Sequence, residues 1–376
     1  MKKINKLKIL HISEAYGWSG GANQALSLAK KLNEKGHINY IASPENGDLF
    51  IKSKQNSIET INFNPKSKSA IIDGFKLAKI IDEIGFDIIH AHHPKAHNAA
   101  VVAKIFSKSK PLLFVSRRVT HQLPSNIFAK FKYKTKNVNA YIAVCKYVAN
   151  MLIDYGIEKE RVFVVYSGVD KTKFFKREKD IEFKKSLGVD ENETVITLIG
   201  NFSYDKGQHI LIEALSILEK KGYRFSVIFA GRNTDTFQIK EMFFSKISKN
   251  KGIFLGLRND VDKILNITDI SINAAIKGEA LSGSIRESLA MGVPSIASNI
   301  GGNSEIIKDG ENGFLFTPGN FIELSQKIEK ILNDKELREK FSENAIKTID
   351  ENFTIDTMAQ KTLEIYIKFL NIDRSS

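Results

Sequence analysis

The chain has 376 residues, with 56 Lys+Arg against 43 Asp+Glu, 42% hydrophobic residues, 10% aromatic residues and one cysteine. At about 150 residues per domain, that length predicts two domains, and the apolar content excludes disorder as the main theme. The single Cys145 excludes a disulfide framework or a zinc centre built on several cysteines. No apolar run approaches the ~18 residues of a membrane-spanning helix. The basic start, Met1 to Ile12, lacks a signal peptide's apolar core, so a cytoplasmic protein is expected.

Short Ile- and Val-rich runs alternate with amphipathic stretches along the whole chain. In the first half the expected strands are Lys8–Ile12, Ile38–Ala42, Ile88–His90, Leu112–Ser116, Ala140–Val144 and Val162–Tyr166. Helical spacing marks Ala22–Lys35 and Asp73–Ile84. The polar, weakly periodic stretch Asp170–Asn192 then breaks the pattern, which restarts with Thr194–Gly200, Phe225–Ala230, Ile253–Leu255, Asp269–Asn273 and Pro294–Ala297. Helices are expected at Gln208–Lys221, Phe237–Lys249 and Ser284–Met291, and throughout Phe321–Leu370. Such alternation predicts parallel sheets covered by helices on both faces, with ligands at the carboxyl ends of the strands. Charge is uneven: residues 1–180 hold 31 Lys+Arg and 15 Asp+Glu, whereas residues 181–376 hold 25 and 28. An anionic partner for the first half follows: nucleic acid, a membrane surface or a phosphorylated substrate.

The most informative stretch runs from Gly278 to Gly313. Glu279 lies in the loop after the strand Asp269–Asn273, and a helix opens near Ser282–Ser284 with a serine as N-cap, placing Glu287 in its first turn. Amides around Gly283–Ile285 would be open to a phosphate. Flanking carboxylates accept from hydroxyls. A phosphate between two polyols describes a nucleotide sugar. In Gly200-Asn-Phe-Ser-Tyr-Asp-Lys206-Gly207, a lysine at a strand-to-helix turn can neutralise charge on a departing diphosphate. Trp18-Ser-Gly20-Gly21 follows the first strand and permits close backbone approach, without a dinucleotide-binding GxGxxG. In Asp87-Ile-Ile-His90-Ala-His92-His93, only His90 and His92 share a face and no carboxylate lies at ligand spacing, so no metal is expected. Asp260-Val-Asp262 reads as a helix cap rather than a metal-binding pair. Arg117-Arg118 closes a strand and suits an acceptor phosphate. Phe128 to Lys136 interleaves rings with lysines, the composition of a lipid-surface anchor, an RNA-stacking surface or a solvated amphipathic helix.

These motifs resemble the signature EGFG-x4-EAMA-x-G-x-P-V-x-A-x3-GG-x-x-E-x4-GxxG of the retaining glycosyltransferases of family 4. It reads here as Glu279, Glu287-Ser-Leu-Ala, Gly292, Pro294, Gly301-Gly302, Glu305, Gly310 and Gly313, with Ala280 and Ser282 in place of two glycines. The family's GR-x3-x-KG is matched at Lys206-Gly207, but Asn201 replaces its arginine, with Arg232 a candidate substitute. Its N-terminal GG loop and D-x-x-H-x-H are matched by Gly20-Gly21 and by Asp87, His90 and His92.

The resemblance implies the GT-B fold: two Rossmann-like, doubly wound parallel α/β domains facing a cleft, with the last helix crossing back to the first domain. The expected divisions are 1–182 for acceptor binding, 183–352 for nucleotide-sugar binding and 353–376 for the returning helix. It implies a retaining hexosyltransferase acting on an envelope glycolipid or oligosaccharide, such as lipopolysaccharide core or a lipid-linked glycan. Lys206, Glu279 and His92 would be catalytic. Gly20, Gly21, Lys206, Glu279, Ser282, Gly283, Ser284, Ile285 and Glu287 would hold the donor. Arg117, Arg118 and His92 would meet the acceptor. No cofactor, metal or nucleic acid is expected, and an anionic inner-membrane surface is an expected partner. The alternatives are a GT-B nucleotide-sugar epimerase or hydrolase, or a nucleic-acid- or membrane-binding protein using the basic half.

Overall fold

The computed structural model describes residues 6–65 and 70–373. The chain forms two compact units: one runs to Gly168 and resumes at Ile355, the other spans Val169–Thr354.

The first unit alternates β1 (Lys8–Ile12), α1 (Gly20–Glu34), β2 (Ile38–Ser43), α2 (Asp48–Gln55), β3 (Glu59–Asn62), α3 (Ala70–Ile84), β4 (Ile88–Ala91), α4 (Pro94–Phe106), β5 (Leu112–Arg117), α5 (Ile127–Lys134), β6 (Ala140–Ala143), α6 (Lys146–Asp154) and β7 (Val162–Val164). Its parallel sheet has the order β3-β2-β1-β4-β5-β6-β7. Strand order reverses between β1 and β4, leaving a gap between the loops that follow them, where open parallel sheets bind ligands. Ser19 caps α1 by accepting from Ala22 N, and Ala22, Ala25, Leu26, Ala29 and Leu32 form its buried stripe.

The second unit contains α7 (Ile181–Ser186), β8 (Val195–Ile199), α8 (Gln208–Lys220), β9 (Ser226–Ala230), α9 (Phe237–Phe244), β10 (Lys251–Phe254), α10 (Val261–Asn266), β11 (Ile270–Asn273), α11 (Gly283–Ala290), β12 (Ser295–Ser298), α12 (Asn303–Ile306), β13 (Gly313–Phe316), α13 (Phe321–Asn333) and α14 (Lys335–Asn352). Its parallel order is β10-β9-β8-β11-β12-β13, with the reversal between β8 and β11. Its core joins Leu198, Leu211, Leu215, Phe225, Phe229, Ile272 and Phe316.

The last helix, α15 (Ile355–Asp373), belongs to the first unit. Met358, Ala359, Leu363 and Tyr366 pack with Leu7, Ile9, Leu28, Ile88 and Phe114. Among the described residues no helix is long and apolar enough to cross a membrane.

Two details differ from the sequence expectation. The line at 182 falls inside α7, and the units divide at Gly168 instead. The segment after Gly168 reads as a linker because it is polar, yet its polar groups tie it to the second unit. Arg177 meets Asp262 at 3.0 Å, and Asn266 Nδ2 donates to Glu178 O at 2.8 Å. The edge strands β3 and β13 were also absent from the expectation. Each is four residues long, and β3 carries no fully buried residue, so the period-2 signal of a half-buried strand is missing.

Tyr366 Oη and His90 Nδ1 share a buried 2.6 Å hydrogen bond between α15 and the sheet. Tyr366→Phe leaves that nitrogen without its hydroxyl partner. We expect a loss of about 1–3 kcal/mol in stability, read as a lower urea midpoint.

Candidate functional site

In the second unit, the loops after β8 and β11 form a cavity of about 200 Å³. Lys206, Asn273, Glu279, Ser282, Gly283, Ser284 and Glu287 line it together with the ends of β8 and β11. Lys206 Nζ sits 2.8 Å from Glu279 Oε2. Asn273 Nδ2 donates to Ser282 Oγ at 2.9 Å and to Glu279 Oε2 at 3.4 Å, so the end of β11 holds both loop residues.

Two glycines fix the loops that carry this ion pair. Gly207 has φ +71, and a Cβ there would lie 1.8 Å from Ala274 O. Gly301 has φ +53, and its Cβ would lie 1.7 Å from Glu279 O. Gly302 N donates to Ala280 O at 2.8 Å, which completes the contact. Only glycine permits either approach.

Ser282 is the N-cap of α11, with its Oγ accepting from Ile285 N. That corrects one expectation: the Ile285 amide is spent on the cap and Ile285 is outside the cavity lining, so Gly283 and Ser284 are the first-turn residues that face it. Glu287 falls in the second turn of α11, not the first, yet still reaches the cavity. Burial pushes its carboxyl up to about 7, against the opposing fields of Arg286 and Lys173. The buried Arg286, whose Nε donates to Ser282 O at 3.2 Å, is itself lowered to about 10 by burial.

Asn201 supplies no cation. Its Oδ1 accepts from Arg232 N at 3.0 Å, and the Arg232 side chain is exposed outside the cavity lining. Both carboxylates of the Asp260-Val-Asp262 pair are ion-paired. Arg258 forks onto Asp260 at 2.8 and 2.6 Å, so Asp260 occupies the N-cap position of α10 without capping it. A larger cavity of about 550 Å³ lies beside Tyr204 and His209, whose rings stack at 4.5 Å, and contains none of the expected residues.

In the first unit, the reversal between β1 and β4 gathers three buried histidines. His11 and His90 are register partners, and one ring nitrogen from each of His11, His90 and His92 lies within 4.8 Å of the other two. His92 Nε2 is 3.0 Å from His11 Nδ1, and His11 Nε2 is 2.9 Å from Asn39 Oδ1. His90 bridges Tyr366 Oη and Ser116 Oγ, a structural role. Among the described residues, protein hydrogen bonds thus occupy every nitrogen of the trio except His92 Nδ1. Burial pushes His11 down to about 4 and lowers His90 and His92 well below the ordinary imidazole range. The Arg118 charge lowers the latter two further.

Gly20 and Gly21 open α1, where a Cβ on Gly21 would lie 3.1 Å from His93 Nε2. The arginine pair divides. Arg117 is buried and committed to Tyr133 Oη at 3.2 Å and to His121 O, which removes it as an acceptor ligand. Arg118 is partly exposed and donates to Ser167 Oγ at 2.9 Å. On α5, Ile127, Phe128 and Phe131 are 75%, 83% and 63% exposed, while Lys132 is tucked against Pro94 O at 2.8 Å.

Sequence reasoning missed His11, Asn39 and Asn273. The signal for His11 was the matching position of a histidine in two strands that pair, which is visible only once β1 and β4 are neighbours.

Glu287 titrates higher in the folded chain than its ordinary 4.5. The stability it contributes is therefore present below the unfolded value and lost as pH rises through about 7. In Glu287→Gln this loss disappears. The melting temperature of the variant minus that of the wild type is expected to rise between pH 5 and pH 8, and thermal melts across that range check it.

Residues 18–173 match the sequence model of Glycosyltransferase Family 4, and residues 179–348 match that of Glycosyl transferases group 1. An uncharacterized glycosyltransferase of Methanocaldococcus jannaschii is 28% identical over 218 residues, spanning 56% of this chain and 55% of that protein. Among solved structures, a glycosyltransferase from Rickettsia africae is 26% identical with a TM-score of 0.87, covering 98% of this chain and 99% of that one. HepE of Anabaena, solved in complex with UDP and glucose, is 23% identical with a TM-score of 0.80, over 96% and 99% of the two chains. With a GT-B fold and both halves matched, the chain belongs to the group 1 glycosyltransferases of family 4.

Proposed function

We propose that the chain is a retaining, metal-independent hexosyltransferase that moves a sugar from a nucleotide-diphosphate sugar to an envelope glycolipid or oligosaccharide. A lipopolysaccharide core or a lipid-linked glycan is the acceptor class we favour. The observation that carries this reading is the single cavity holding Lys206, Glu279, the Gly283–Ser284 helix start and Glu287. A cation and helix amides suit a diphosphate, and carboxylates on either side suit the hydroxyls of two sugars.

In this reading Glu287 accepts from the ribose and Glu279 from the hexose. Lys206 leaves its 2.8 Å pairing with Glu279 to hold the diphosphate as the bond from the anomeric carbon to the diphosphate oxygen breaks. The acceptor hydroxyl attacks from the face the diphosphate leaves, and its proton passes to a diphosphate oxygen. His92 and Arg118 are the residues of the first unit that we assign to substrate. UDP-sugars are the first donors to test, because HepE of Anabaena was solved with UDP and glucose.

Lys206→Ala is expected to lower turnover at least ~100-fold with EDTA present throughout, the scale for losing one preorganised transition-state contact. A saturating donor at ~100 times its dissociation constant should stabilise the wild type by ~2.7 kcal/mol, read as a thermal shift across UDP-, GDP- and ADP-sugars. Glu287→Ala should lose that shift. Normal turnover in Lys206→Ala, or a requirement for added divalent metal, contradicts the reading.

The α5 surface joins three exposed apolar side chains to the exposed Lys130, Lys134 and Lys136. That surface suits anionic lipid, where each lysine adds ~1 kcal/mol. Co-sedimentation with anionic vesicles should weaken as salt rises and fall sharply in Phe128→Glu. Binding that is absent or indifferent to salt contradicts a peripheral membrane position.

A further inference from the structure

We propose that Asn33, Asn39 and His11 fix His92 as its Nε2–H tautomer, so that its buried Nδ1 is a bare lone pair that accepts a hydrogen bond from a substrate hydroxyl. The hydroxyl part rests on the reading above, in which His92 meets the substrate. The tautomer part stands on hydrogen-bond direction alone.

The chain of donors starts at the backbone, where direction is certain. Asn39 N–H donates to the Asn33 side chain at 2.9 Å, so that Asn33 atom is the oxygen. The Asn39 side chain meets the same oxygen at 2.9 Å, and only its Nδ2 can donate there. Asn39 Oδ1 therefore faces His11 Nε2, 2.9 Å away, and that nitrogen carries the proton. His11 is neutral at physiological pH because burial holds it far down, so its Nδ1 is an acceptor. His92 Nε2, at 3.0 Å, must then donate to it. His92 is also neutral, and His92 N donates to Ile12 O at 2.9 Å, which fixes its backbone beside β1.

What remains is His92 Nδ1, buried and without a hydrogen-bond partner among the described residues. A buried acceptor is normally satisfied, so this lone pair is open to a donor from outside the described residues. A lone pair repels a phosphate oxygen and attracts an O–H. The ligand class is thus a hydroxyl of the transferred sugar or of the acceptor, not the diphosphate. His11, Asn39 and Asn33 touch no substrate in this arrangement. They are positioning residues that act through His92.

The test uses the full chain with 15N-labelled histidine near neutral pH, with the His92 signals assigned by their absence in His92→Asn. Wild-type His92 is expected to show a protonated Nε2 and a bare Nδ1. In His11→Asn the side-chain oxygen stands in for the lost Nδ1 and should preserve that pattern, whereas His11→Phe should give a mixture of tautomers. Turnover should follow: His11→Phe lowers kcat about tenfold, the scale of one hydrogen bond, with the donor KM within about twofold, and His11→Asn recovers it. Should His11→Phe fail to fold, Asn33→Ala releases the anchor from outside the cluster and should blur the His92 tautomer in the same way.

A wild-type His92 protonated at Nδ1, or one indifferent to both substitutions, overturns the proposal. A correct tautomer with unchanged kcat in His11→Phe overturns its hydroxyl part. Absence of turnover with every donor and acceptor counts against the proposed function, and the spectra still decide the tautomer.

Discussion

All strands paired within each sheet run parallel, and this constraint organises everything else in the molecule. Parallel strands need a crossover between each pair, so every strand-to-helix loop emerges at the same edge of its sheet. Where strand order reverses, neighbouring loops diverge and leave a gap. In the first unit that gap falls between β1 and β4 and holds the histidine cluster. In the second it falls between β8 and β11 and holds the Lys206–Glu279 cavity. Residues far apart in sequence meet there because topology directs their strands to one place.

Backbone contact, rather than side-chain packing, sets the second cavity. Gly207 and Gly301 approach carbonyl oxygens so closely that any side chain would clash, and both occupy left-handed backbone. The loops carrying Lys206 and Glu279 are thereby pressed against neighbouring strand ends. Their ion pair is partly solvated and adds little stability by itself. Its significance is positional, since it holds a cation and an acceptor at the mouth of a helix start. The raised carboxyl of Glu287 has a different origin: it is buried at the edge of the same cavity, where the charged form is poorly solvated.

The first unit resolves its electrostatics differently. Its many lysines lie at the surface, while the histidines beneath are kept uncharged by burial and by Arg118. Neutral imidazoles make directional contacts. Each ring nitrogen is then a donor or an acceptor, never both, and the amides of Asn33 on α1 and Asn39 in β2 choose which in His11 and His92. Of the two arginines that close β5, the fold consumes Arg117 in packing and leaves only Arg118 near the cluster.

The sequence by itself determined the fold class, the strand-helix alternation of both halves and most of the residues lining the Lys206–Glu279 cavity. Period, capping serines and glycine spacing are local properties, and Ser282, Gly283, Glu279 and Glu287 lie within one short stretch. Tertiary structure decided the rest. The unit boundary moved to Gly168 because polar side chains after it bond across to residues some ninety positions later. Ile285 lost its amide to a cap, and Arg117 lost its guanidinium to Tyr133. His11 joined His92 only because β1 and β4 are neighbours in the sheet. Local pattern records what a residue prefers along its own element. Which hydrogen-bonding groups remain available depends on partners brought in by sheet order, and a single strand's sequence carries no trace of them.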